Sequence, residues 1–291
     1  MLPYRGFVVW DVSIFVILGV FLLFVALGWP GIPNSCLNYD PATNALFLKD
    51  GVYDQCYCEC YDFARILAHA PGVRQPVNTW FNLYSLITSF IVALYVYLDR
   101  VDGNTGPVIR SNNAIADLYI FAVLFLGLGS MWFHASLTES LAWLDGFSMY
   151  VYAAYLVFYT IRRLWHADWF FWVFYPVTVV AFTLIGQFWK YQYASLILIV
   201  TLVVAYLVFE VIIWVKTKSV LLGTPRARWL WGLAVASMGL ATLFWTLSQT
   251  GGPLCDPNSW FQPHGLLWHP LAGVMAVLLY FYWREDKAVA T

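Results

Sequence analysis

Eight apolar runs of about twenty residues constrain this chain more than any other feature. A helix needs roughly 20 apolar residues to cross a hydrocarbon core of about 30 Å, and in lipid only helices and closed barrels satisfy every backbone polar group internally. The first run is Phe7 to Trp29, and seven more fall at about 78–98, 114–134, 143–161, 168–188, 192–215, 229–248 and 265–283. Only 11% of the 291 residues are charged, against roughly 25% in soluble domains. The formal net charge of -1 and the lack of a Lys/Arg cluster leave no surface for nucleic acid or for polybasic lipid binding.

The expected fold is therefore an all-α integral membrane protein. An extra N-terminal transmembrane helix (1–29) precedes an extracytoplasmic, cysteine-containing loop (30–76), a seven-transmembrane-helix core (77–284) and a short cytoplasmic tail (285–291). Arg5 and Ala26-Leu-Gly28 give the first run some likeness to a cleaved signal. Signal apolar regions are usually only about 7–15 residues, so it is read as a retained helix with Asp11 near the interface.

With the N-terminus inside, the inner segments hold Arg5, Arg100, Arg110, Arg162, Arg163, Lys216, Lys218, Arg226, Arg228, Arg284 and Lys287. The outer ones hold Lys49, Arg65, Arg74 and Lys190. That asymmetry satisfies the positive-inside rule and puts both termini in the cytoplasm. The absence of a glycosylation sequon fits a bacterial inner membrane.

Against this background the stretch from Ser130 to Asp145 stands out, because ionisable groups at membrane depth are costly and point to function. Ser130 and His134 are one turn apart and share a helix face. Were the helix to continue unbroken, Asp145 would lie about 16 Å beyond His134 at about 1.5 Å per residue. The polar stretch Ser136-Leu-Thr-Glu-Ser140 lets the chain turn back, so that histidine and aspartate meet at one membrane face. The same topology brings His264 and His269, at the start of the last run, to that outer end. Three imidazoles from facing helices match an open catalytic zinc site.

Other polar residues read differently. His69 and His166 are expected to be solvated or interfacial, and Glu210 to be structural, pairing with a helix hydroxyl or tuning a cavity. Asp117 suits a helix N-terminus, and Glu139 is an alternative acid to Asp145. Four of the five cysteines, Cys36, Cys56, Cys58 and Cys60, lie in the long polar segment, and Cys255 lies in another outer loop. Alternating cysteines lack the spacing of a structural zinc site. A disulfide joining the segment to Cys255 is expected instead, in an oxidising compartment.

Ser130-x-x-x-His134, then Asp145, then paired histidines opening the last helix resemble the alkaline ceramidase family. That family belongs to a superfamily of membrane hydrolases with adiponectin receptor and GPI-remodelling relatives. Cys58-Glu59, Gln75-Pro-Val-Asn78-Thr-Trp80 and Cys255-Asp-Pro-Asn-Ser add to the match, which spans about 56–283. The resemblance implies zinc held by His134, His264 and His269, with Ser130 and Asp145 assisting the attacking water.

Two departures stand against it. The family places its last histidines four apart, whereas His264 and His269 are five apart, about 140° around an ideal helix. Both can reach one metal if His264 precedes the regular helix, as Pro263 and Gly265 permit, or if a π-bulge absorbs the extra residue. Secondly, Cys56, Tyr61 and Gln75 stand where the family's calcium site has Asp, Asn and Glu. With fewer charged oxygens a hard-cation site is weakened, so calcium regulation is not expected.

The implied activity is hydrolysis of an acyl amide in a membrane lipid such as ceramide, giving a sphingoid base and a fatty acid. An ester hydrolase acting on phospholipids or GPI anchors, and a receptor-like protein with structural zinc, are the alternatives. A retinal protein would need a buried lysine, and the last run has none before Lys287.

Overall fold

The computed structural model describes residues 2–31, 39–40, 45–46, 58–59, 68–103, 106–188, 194–217, 224–249, 252–256 and 259–285. The expectations for Cys36, Cys56, Cys60 and Tyr61, and for the Asp11 side chain, lie outside what is described. Helices dominate: α1 (Leu2–Leu27), α2 (Pro76–Phe81), α3 (Tyr84–Val101), α4 (Val108–Ser111), α5 (Asn113–Ser136) and α6 (Glu139–Trp165). They continue with α7 (Asp168–Phe188), α8 (Ala194–Thr217), α9 (Pro225–Leu247), a π-helical turn (His264–Trp268) and α10 (His269–Arg284). One two-residue antiparallel pair, Tyr39–Asp40 with Ala45–Leu46, interrupts the helical pattern.

Seven of the described helical segments are long and apolar enough to span a bilayer: Pro76–Val101, Asn113–Ser136, Glu139–Trp165, Asp168–Phe188, Ser195–Lys216, Pro225–Leu247 and His264–Arg284. These are the seven expected runs, and the chain is an all-α membrane protein. The third span starts at Glu139 rather than near 143. An acid in the first turn favours helix there, and the helix begins directly after a two-residue turn. In that turn Leu137 takes a positive φ of 52°, and the Ser136 hydroxyl accepts from the Thr138 N–H at 3.2 Å.

The chain groups into two compact units. The first comprises Met1–Leu83, Leu128–Asp145 and Ala241–Pro270. Here the end of α1 is tied down by its own sequence. Gly28 has φ 103°, and a Cβ on it would stand 2.0 Å from the His69 carbonyl oxygen, so only glycine fits. The Trp29 indole N–H donates to Gly72 O at 2.8 Å, and Phe21, Phe24, Trp29, Trp80 and Trp132 form one edge-packed aromatic cluster.

The second unit comprises Tyr84–Gly127, Gly146–Leu240 and Leu271–Thr291. Its buried carboxylates, Asp99 and Glu210, find internal partners, as hydrocarbon requires. Asp99 accepts from Arg110 at 2.9 Å, from Arg284 at 2.6 and 3.0 Å, and from the Tyr280 hydroxyl at 3.2 Å. Glu210, as expected, meets hydroxyls, those of Thr160 (3.2 Å) and Tyr282 (2.9 Å), and it also pairs with Arg163. Gly273 lets α10 close on α3: a Cβ there would stand 2.4 Å from the Tyr84 ring, the small-residue packing common in membranes.

Candidate metal centre

All the residues of the site belong to the first unit. α5 carries Ser130 and His134, one turn apart and both buried. The π turn carries His264, and α10 opens on His269. The insertion of one residue per turn in a π-helix absorbs the five-residue spacing that an α-helix would splay. Of the two ways in which His264 and His269 could share a site, the π-bulge is therefore the one observed. The His264 and His269 rings lie 4.7 Å apart between centroids, and His134 sits 5.1 and 5.7 Å from them.

Gly265 makes the π turn possible in this place. A Cβ on it would lie 2.9 Å from Asn78 Oδ1 and 3.0 Å from both the carbonyl carbon and oxygen of Val77. The turn thus packs backbone to backbone on α2.

One ligand nitrogen from each of the three histidines lies within 4.8 Å of the others, and all three residues are fully buried. Zn–N bonds of about 2.0–2.1 Å at tetrahedral angles set nitrogens about 3.3 Å apart. His134 Nε2 and His264 Nε2 already stand 3.2 Å apart, and a His269 nitrogen lies within 4.8 Å of the ligand nitrogens of both. Among the described residues no other group of histidines, cysteines or acids is gathered this way. Three neutral imidazoles suit zinc and other first-row divalent metals rather than calcium. The residues fit such an ion, and the donor set alone does not choose among those metals.

The remaining polar groups form a chain around the histidines. The Ser130 hydroxyl lies 3.5 Å from His269 Nε2, accepts from Asn82 Nδ2 at 3.2 Å, and hydrogen-bonds the Asp145 carboxyl. With Asn82 donating to it, the hydroxyl keeps its own proton to give to the Asp145 carboxyl or to His269 Nε2. Glu139 is exposed at the start of α6, whereas Asp145 is buried beside Ser130; of the two acids, Asp145 is the one at the site. His69 and His166 are exposed, in keeping with the sequence reading.

On its other side His134 meets residues that the sequence reading had not placed in the site. Its Nδ1 lies 2.6 Å from Gln75 Oε1. The Gln75 amide nitrogen donates to the Glu59 carbonyl at 3.1 Å, and backbone N–H groups of Arg74 and Gln75 donate to Ala135 and His134 carbonyls at 3.0 and 3.1 Å. Pro76 opens α2 without an N–H, and the Gln75 side chain does not cap it. The Glu59 carboxylate does so instead, accepting from Val77 N at 2.7 Å and Asn78 N at 2.8 Å. Burial pushes the Glu59 carboxyl up from its ordinary range, while these two bonds pull it down. The neighbouring Cys58 forms a disulfide with Cys255, the expected link between the two loops.

Gln75, Asn78 and Asn82, spaced three and four apart at the start of an apolar span, are the signal that could have found this shell: amides on one face of a membrane helix need an inward partner. No family model matches the chain, and no curated protein matches it.

Proposed function

We propose that this chain is an intramembrane, zinc-dependent hydrolase of lipid amides, with a ceramide-like lipid as substrate. One observation carries the reading: three buried imidazoles on α5, the π turn and α10 converge beside a Ser130–Asp145 pair. A purely structural three-histidine cluster has no need of a buried acid aligned next to it. The motif resemblance to alkaline ceramidases supports the amide bond as target. The Lys/Arg asymmetry supports an outward-facing site with both termini in the cytoplasm.

Zn2+ held by His134, His264 and His269 would supply Lewis acidity, polarising a carbonyl and acidifying water toward a pKa of about 7. Asp145 accepts the proton of the attacking water and passes it to the amide nitrogen as the C–N bond breaks. The hydroxyl ends on the acyl carbon, giving a fatty acid, and the amine leaves as a sphingoid base. Ser130, itself held by Asn82, orients the Asp145 carboxyl during both transfers. The lipid reaches the site from the side, between helices.

Elemental analysis beside a lipid panel tests the reading. Wild type should carry about one equivalent of zinc and hydrolyse ceramide, His134→Ala should lose both, and Asp145→Asn should keep zinc while losing at least 100-fold in turnover, the lower end of general acid–base contributions. Turnover of phospholipid or GPI esters in place of ceramide would move the assignment to the ester hydrolase. Bound zinc with no turnover of any lipid would leave the receptor-like reading.

A further inference from the structure

We infer that Gln75 is a positioning residue for the metal, acting through the contact of its side-chain oxygen with His134 Nδ1. The inference rests on the metal reading above and concerns a residue outside the ligand set.

The argument starts from the Glu59 carbonyl, which can only accept a hydrogen bond. Gln75 Nε2 faces it at 3.1 Å, and this settles which end of the amide is nitrogen. The opposite end, Oε1, therefore faces His134 Nδ1 at 2.6 Å. An amide oxygen has no proton to give, so Nδ1 must carry the hydrogen. The neutral ring then presents a bare lone pair at Nε2, the atom 3.2 Å from His264 Nε2. Asn78 Nδ2 lies 3.4 Å from the same oxygen and adds a second, weaker donor. Gln75 is 1% exposed and His134 is 0% exposed, so water cannot replace the contact.

An outer partner of this kind fixes the tautomer and ring orientation of a metal-bound histidine, and its loss usually weakens metal binding about 10- to 100-fold. The backbone supports the same geometry. Arg74 and Gln75 donate to the last carbonyls of α5, and Glu59 holds the first turn of α2 from the other side. Two anchored backbones thus set the distance from Gln75 to His134. A glutamate at 75 would keep the acceptor for Nδ1 but turn a second oxygen toward the Glu59 carbonyl. A leucine would remove both contacts at nearly the same volume.

Zinc affinity of the full-length protein in detergent, by competition with a chromogenic chelator, tests this, together with the visible absorption of the Co2+-substituted protein and the melting temperature of the metal-free form. Gln75→Leu should bind zinc 10- to 100-fold more weakly and alter the Co2+ band. Gln75→Glu should recover to within about threefold of wild type, because it restores the acceptor at Nδ1. The metal-free melting temperature separates a folding defect from this effect, and should Gln75→Leu not fold, Gln75→Glu is judged by its Co2+ band. Wild-type affinity in Gln75→Leu, or equal weakening in both variants, would overturn the role of the Nδ1 contact while leaving the hydrolase reading intact. Absence of metal binding by the wild type would sink both.

Discussion

Replacing Gly265 by alanine probes the close approach on which the metal centre depends. Its backbone torsions are ordinary, so alanine meets no conformational strain, and helix propensity favours alanine over glycine by about 1 kcal/mol. From propensity alone the variant should be more stable. The packing says otherwise. The new Cβ would lie 2.9 Å from Asn78 Oδ1 and 3.0 Å from the Val77 carbonyl, and Val77 is backbone that cannot rotate away. Either the π turn lifts off α2, taking His264 with it, or α2 moves and takes Gln75 from His134. Overpacking of this kind costs about 1–3 kcal/mol. If the metal-holding arrangement bears that cost, zinc affinity falls roughly 5- to 150-fold, at about 1.4 kcal/mol per decade. Chelator competition reads the affinity, and thermal unfolding with and without zinc shows whether the loss is confined to the loaded state. A Gly265→Ala protein with wild-type affinity and a higher melting temperature would refute the reasoning, since the backbone contact would then impose nothing.

Two further outcomes follow from particular contacts. Removing the disulfide with Cys58→Ser and Cys255→Ser together releases Glu59 from its anchor, so zinc affinity should drop and Gln75→Leu should add little on that background; fully additive losses would show that the two act separately. Arg163→Met leaves Glu210 buried with only the Thr160 and Tyr282 hydroxyls, and should cost about 3–5 kcal/mol in denaturant unfolding, whereas Arg163→Met with Glu210→Leu should recover most of it; equal losses would mean that the ion pair contributes nothing beyond packing.

The spans could be read from the sequence because lipid imposes one simple condition, a run of apolar residues long enough to cross. The histidines were legible for the converse reason: a polar side chain in such a run has to be justified by something. Gln75, Asn82 and the Glu59 carboxylate obey a different rule. Glu59 and Gln75 precede the first core span and Asn82 lies in its opening turns; their spacing marks a polar face, but the partner of that face is set by a fold-back that no local pattern encodes. Compared with a cation site, Gln75 looks like a lost charge. Opposite His134 Nδ1 and the Glu59 carbonyl it is a group with a donor at one end and an acceptor at the other, which a carboxylate is not.

The spacing of His264 and His269 shows the same division between local and tertiary information. Five residues on an α-helix point the rings about 140° apart, and a spacing rule alone would have discarded one candidate ligand. Pro263 and Gly265 mark where the helix can depart from regularity, but they do not say that it does. What selects the π turn is the surface of α2, which accepts a glycine backbone at position 265 and no side chain, combined with His134 Nε2 waiting 3.2 Å from His264. A wider turn is ordinarily a cost to a helix. Here the turn sets His264 and His269 side by side in one set of nitrogens, so a substitution that restores regular α-helix across 264–268 should remove a ligand without touching any histidine.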